Sequence, residues 1–317
     1  MKKYLITIST ISFLLLLLTF PSISLNGAKN GLMLWFQTVL PTLLPFMIVS
    51  NLIVQLGVTD CLTSFFYPVA GRLFGLSKPA CYPFIIGMLS GYPVGAKACA
   101  DLVKEHQITR NEGQFLLCFC NNASPMFIIS FVAAQCLSRS ISGPWLLGIV
   151  YGSGLLSGFV YRILEGRREL SSGYNPPLSV TSVSSQRKPE LSPFIILDNT
   201  ILNAFVILVK VGGYIILFSI LAEIILHLTA IPALARYFTI GFLEITTGAS
   251  AIGFASFSTA QKIALTTALT AFGGLSSHAQ TLSVIMNSGL SIKKYFIYKC
   301  INASIAGIIA LLLVNIF

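Results

Sequence analysis

Charge is what this sequence has least of. Only 9% of its 317 residues are Asp, Glu, Lys or Arg, against 55% that are apolar. A soluble domain carries about 25% charged residues. Together with a mean hydropathy of +0.84, this scarcity argues against an ordinary soluble fold and predicts a polytopic membrane protein. Histidine is also scarce, with three in the chain. There is no GxSxG elbow, no HExxH and no cluster of paired carboxylates, so hydrolytic catalysis has little to work with. The chain is read as a non-enzyme without cofactor or metal. Its seven cysteines are odd in number, include no CxxC pair and lie mostly in apolar stretches, as small buried hydrophobes do. The net charge of +10 does not point to nucleic acid. Lys and Arg fall between apolar spans, not in a basic patch interleaved with aromatics.

What the sequence has in abundance is apolar runs. On a window of about 20 residues per crossing, spans are expected near 4–22, 31–56, 113–136, 143–162, 199–228, 264–288 and 294–316. The first is read as uncleaved, because Pro21-Ser22-Ile23-Ser24 is a poor cleavage site. A short amphipathic piece near 61–76 is placed at the interface. The stretches 79–105 and 232–259 each suit two half-helices but not two full spans. Both are read as re-entrant helical hairpins, which persist only where protein or water surrounds them. The fold expected is all-α, with about seven full spans plus two hairpins. The domain order expected is an N-terminal span (1–28), a first repeat (29–163), a polar cytoplasmic linker rich in Ser, Pro and charge (164–192) and a second repeat (193–317).

Polar, glycine-rich interruptions break the apolar pattern, and they come as a pair used twice. Gly91-Tyr92-Pro93-Val94-Gly95-Ala96-Lys97 is followed by Asn121-Asn122-Ala123-Ser124-Pro125. Ile245-Thr246-Thr247-Gly248-Ala249-Ser250 is followed by Gly273-Gly274-Leu275-Ser276-Ser277-His278. Gly95 lies as far from Ser124 as Gly248 does from Ser277. The same ungapped shift maps Ala80 to Ala233, Leu116 to Leu269, Phe119 to Phe272, Ser130 to Ser283 and Gly154 to Gly307. Broken helices at matching positions of two halves are the sequence mark of a transporter site.

Charge then orients the chain. With a cytoplasmic N-terminus and hairpins that do not cross, Lys2, Lys3, Arg72, Lys78, Lys104, Arg110, Arg162, Arg167, Arg168, Arg187, Lys188, Lys293 and Lys294 fall inside. Only Lys29, Arg139, Arg236 and Lys262 fall outside, as the positive-inside rule requires. On that scheme the two repeats are inverted.

The interruptions supply the candidate binding residues. Gly91, Tyr92 and Pro93 form a turn, and Gly95 permits close backbone approach. Lys97 falls in the first turn of a new helix, where backbone N–H groups and the dipole favour an anion. It either meets an anionic substrate there or pairs with a carboxylate such as Asp101 or Glu244, with snorkelling to the interface a further outcome. Asn121, Asn122 and Ser124 put amides and a hydroxyl at membrane depth, for binding or for helix packing. Glu244 beside Thr246, Thr247 and Gly248 is an intramembrane carboxylate, a functional candidate by default. It would carry a proton, coordinate a cation or pair with Lys97. Ser276, Ser277, His278 and Gln280 complete the set, with His278 placed in the substrate cavity.

At these residues the chain resembles a known family. Leu-Ser-Gly-Tyr-Pro-Val-Gly-Ala-Lys (89–97), Cys-Asn-Asn-Ala-Ser-Pro (120–125), Phe-Leu-Glu-Ile-Thr-Thr-Gly (242–248) and Phe-Gly-Gly-Leu-Ser-Ser-His-Ala-Gln (272–280) look like the sporulation integral membrane proteins of the YlbJ (SpoVV) family, within the nucleoside-recognition Gate domain group. The resemblance covers roughly 30–317, although the central linker is compact for the family. It implies export of dipicolinic acid from the mother cell across the outer forespore membrane, with a small organic anion and the lipid bilayer as partners. It also implies similarity to concentrative nucleoside transporters. The motifs themselves do not separate dipicolinate from another carboxylate or a nucleoside, and they leave self-association into a homo-oligomer open.

Overall fold

The computed structural model describes residues 2–55, 59–170 and 192–314. Among these the structure is helix and turn, with no strand. Helices α1 (Lys2–Thr19), α2 (Pro21–Leu34), α3 (Leu40–Gln55) and α4 (Thr59–Phe74) lead in. A five-residue π-helical turn, Trp35–Val39, joins α2 to α3. Pro41 and Pro45 withhold two backbone donors just beyond it, which loosens the helical ladder. The second apolar helix therefore starts at Pro21, not near 31, and passes through the boundary expected at residue 28. Pro21 suits a helix start, where its missing N–H is not needed.

The rest of the chain runs through one succession of elements twice. In the first half come α5 (Cys81–Ser90), α6 (Val94–Lys104), α7 (Arg110–Cys120), a π-helix (Phe127–Cys136) and α8 (Gly143–Leu170). After the long α9 (Pro193–Leu226) come α10 (Ala233–Leu243), α11 (Ile245–Phe254), α12 (Thr259–Phe272), α13 (Gly274–Ile285) and α14 (Ile292–Val314). Local signals set these boundaries. Thr109 caps α7 by accepting from Glu112 N at 3.1 Å. Ser258 and Gln261 form a reciprocal capping box on α12, which satisfies two otherwise orphaned donors.

Among the described residues, four helices are long and apolar enough to cross a membrane: Pro21–Ile53, Gly143–Gly166, Phe194–Leu226 and Ile292–Leu313. The spans expected near 113–136 and 264–288 are two short pieces each, divided at Asn121–Ser124 and at Gly273, within the interruptions that the sequence marks. Helix α8 continues through Leu170 into the stretch expected as linker, whose residues 171–191, with Arg187 and Lys188, lie outside the described residues.

The halves interlock. One apolar core joins Phe131 and Val132 of the Phe127–Cys136 π-helix and Leu146 of α8 to Ala249 and Ile252 of α11, Leu269 of α12 and Ala306 of α14. A second is aromatic, with Phe74, Phe115, Phe119, Tyr161 and Tyr298. Large apolar side chains also face outward along the long helices, among them Leu202, Val206 and Val209 on α9 and Ile308 and Leu312 on α14. In water such a surface would aggregate; against acyl chains it is matched.

Candidate functional site

Two helix pairs place their tips at the centre. Helices α5 and α6 touch where a Cβ on Gly95 would lie 2.6 Å from Gly87 Cα. Helices α10 and α11 touch where a Cβ on Gly248 would lie 2.1 Å from Gly241 Cα. At the first tip Gly91 has φ +73°, and a Cβ there would strike Asn122 O and Ser124 N at 2.7 Å. Tyr92 N donates to Asn122 O at 2.9 Å, so the first tip is hydrogen-bonded to the first helix break. The Tyr92–Pro93 peptide is cis. At the second tip, Gly274 packs against the backbone of Leu243–Ile245, so tip and break meet there too. The Tyr92 ring crosses to Gly273, linking the two halves.

All four interruptions open on one cavity of about 30 Å³, room for a water or two. Ser90 and Tyr92 come from the first tip, Ala123 and Ser124 from the first break, Glu244 and Thr246 from the second tip, and Gly273, Ser276, Ser277 and Gln280 from the second break. Val39 and Leu43 of the lead-in helices, Phe127, and Val211 and Ile215 of α9 supply an apolar wall. Four helices begin here, at Val94, Pro125, Ile245 and Gly274, so their positive dipole ends converge.

The polar groups are held in distinct ways. Ser124 caps its helix, its Oγ accepting from Phe127 N at 3.3 Å. Glu244 is buried and caps α11, its Oε2 accepting from Thr247 N at 2.6 Å, at a helix end that favours an acidic side chain. Thr247 does not line the cavity; its hydroxyl lies 2.7 Å from that of Ser219 and ties the tip to α9. Gln280 donates to Ser276 Oγ at 3.3 Å, while its buried Oε1 has no protein partner among the described residues.

Several expected site residues lie elsewhere. Lys97 is half-exposed and pairs with Asp101 at 3.0 Å. Its neighbours Ala96 and Ala98 face the core, which turns residue 97 outward, where its ammonium stays solvated. Of the alternatives open for Lys97, the structure adopts the Asp101 pair. Asn121 and Asn122 also turn away from the cavity. Asn121 Nδ2 donates to Thr281 Oγ1 and the Tyr295 hydroxyl, and Asn122 Nδ2 donates to Phe119 O at 2.9 Å. His278 sits behind the cavity, stacked on Phe272 at 4.6 Å. Its Nδ1 lies 2.8 Å from Gly274 O, and a carbonyl partner requires the proton on that nitrogen.

Two contributors were missed in the sequence. The Tyr151 hydroxyl lies 2.5 Å from Met88 O and 3.1 Å from Ala123 O, bracing the first pair of helices against the first break. Lys299 of α14 is fully buried and donates to Asn122 Oδ1 at 2.9 Å. An ammonium in the middle of an apolar span is a legible signal, overshadowed by Lys293 and Lys294 at the same helix's start.

Apolar helices broken at a shared polar centre define a helical integral membrane protein. The particular relative is the sporulation integral membrane protein YlbJ of Bacillus subtilis, 27% identical over 92% of this chain and 78% of its own length. The chain is thus YlbJ-like along nearly its whole length, as the four motifs led us to expect, and a membrane protein with a sporulation relative. No family model and no solved structure matches it.

Proposed function

We propose that this protein carries a small polar solute across a membrane during sporulation. The observation that carries this reading is the meeting of four helix interruptions, two from each half, around one cavity. Interrupted helices at membrane depth are tolerated around a cavity and are costly elsewhere. On this reading α5–α6 and α10–α11 are re-entrant hairpins of two inverted repeats, the N-terminus is cytoplasmic, and the lipid is the outer forespore membrane. The cavity holds a water or two, so loading needs the tips and breaks to part, and a rocking or elevator movement of one body against the other supplies that.

The cargo we favour is a small organic anion, with dipicolinate first, as the YlbJ-like motifs imply. Converging helix N-termini supply donors for carboxylates, and the apolar wall suits a flat ring. Because Glu244 shares the cavity, a dianion is best accommodated when that carboxylate has taken up a proton. A second reading, nucleoside or other neutral-solute transport, is favoured by one observation: Glu244 is the sole charged residue among those that line the cavity. Uptake of labelled dipicolinate by proteoliposomes containing the purified protein, with uridine as competitor, separates the two. Saturable dipicolinate uptake that uridine leaves unchanged supports the anion. Uridine uptake favours the second reading. Flux of neither supports a non-transporting role in the spore envelope and sinks the proposal.

A further inference from the structure

The expected cation of the site, Lys97, faces outward, yet the structure buries a different one. Lys299 is 0% exposed. Its Nζ lies 2.9 Å from Asn122 Oδ1 and 3.4 Å from Asn121 O. Asn302, one turn further along α14, donates to the same Asn122 Oδ1 at 3.2 Å. No Asp or Glu among the described residues is in ion-pair reach of Lys299; the lysine pairs formed there are Lys97–Asp101 and Lys294–Glu165. A buried charge ordinarily has a counter-ion. This one has two neutral oxygens and the carbonyl end of α7, where a cation is favourable.

Its position is informative. Asn121 and Asn122 begin the first break, and the next two residues, Ala123 and Ser124, line the cavity. Lys299 therefore stands behind the cavity wall, screened from solvent and without an ion-pair partner among the described residues. In such low-dielectric surroundings a lone cation acts over several ångströms. We propose that Lys299, seated on Asn122, is the charge-selecting residue of the cavity: protonated as an anionic solute enters, it makes the first break attractive to that solute and supplies the positive charge the cavity lining lacks. This rests on the transport reading and names the residue that decides the sign of the cargo.

Three variants test it in proteoliposomes: Lys299→Met, Lys299→Arg and Asn122→Asp. The last is close to isosteric and places the missing counter-ion against the ammonium. The probes are dipicolinate and its neutral diamide, and the readout is the ratio of their uptake rates, which a merely structural role would not move. The native protein and Lys299→Arg should prefer the dianion. Lys299→Met should lower the ratio at least tenfold. Asn122→Asp gives up the Nδ2 bond to Phe119 O but gains the ion pair; it should lower the ratio likewise, and it decides the matter if Lys299→Met fails to fold. An unchanged ratio in Asn122→Asp, or in a folded Lys299→Met, overturns the inference and leaves transport standing. So does a native protein that prefers the diamide. If the native protein moves neither probe, equilibrium dialysis with dipicolinate decides. Binding that Lys299→Met abolishes upholds the cation's role without transport, binding that survives Lys299→Met overturns it, and no binding by the native protein overturns both.

Discussion

The contact between α10 and α11 leaves no room for a single carbon atom, and Gly248→Ala is the substitution that exploits this. An added Cβ would stand 2.1 Å from Gly241 Cα and 2.6 Å from Gly241 N. Carbon atoms sit comfortably at about 3.5–4.0 Å, so the two helices must part by at least about 1.4 Å. The obstructing atoms are backbone and cannot rotate aside. Overpacking of this kind costs about 1–3 kcal/mol, and a clash with main chain belongs at the upper end. The displacement also moves Glu244 and Thr246 relative to the second break, so solute uptake should fall with stability. Gly95→Ala meets Gly87 Cα at 2.6 Å and should be milder. Gly148→Ala and Gly152→Ala on α8 meet nothing within 4 Å and should be neutral or gain up to about 1 kcal/mol from helix propensity. Thermal melting of the purified protein in detergent, read by fluorescence-detected size exclusion, ranks the four. A Gly248→Ala protein that melts with the native one, or above Gly148→Ala, refutes the packing of these helices as described.

Other outcomes follow from the placement of the polar groups. Lys97→Ala removes an exposed pair of the kind that contributes little to stability, and proteoliposome uptake should stay within twofold of native; a loss beyond tenfold would return Lys97 to the site. Glu244→Gln weakens the cap on α11 by about 1 kcal/mol and should remove any dependence of uptake on an imposed proton gradient, measured with and without an ionophore. Gln280→Met replaces a side chain whose buried Oε1 has no protein partner among the described residues. Because an unsatisfied acceptor costs about 1–3 kcal/mol, this variant should melt at or above the native temperature while losing uptake, and a lower melting temperature would show that the oxygen is satisfied.

Much of this architecture could be read from residue order. The short helices α5, α6, α10 and α11 fall within the stretches read as hairpins, and the breaks lie at Asn121–Ser124 and Gly273–Gly274, where polar and glycine residues interrupt apolar runs. Such signals are legible because lipid cannot satisfy backbone groups, so every break needs Gly, Pro or a capping side chain nearby. The orientation of individual side chains was not legible. Lys97 and Asn122 lie at the predicted interruptions, yet both point away from the cavity. The face each takes is set by neighbours distant in sequence, such as Lys299 and Asn302, which claim the Asn122 amide. His278 likewise sits within its motif, but the Phe272 and Tyr295 rings hold it behind the wall.

The sequence alone determines that this is a membrane protein with two similar sets of helix breaks, because hydropathy and the backbone's need for partners are local properties. Only the tertiary structure decides that the four breaks share one cavity, that Glu244 lines it and Lys97 does not, and that the buried cation behind it is Lys299. Those facts depend on helices packing across the two halves, and contacts between residues far apart in the chain leave no mark in the local pattern.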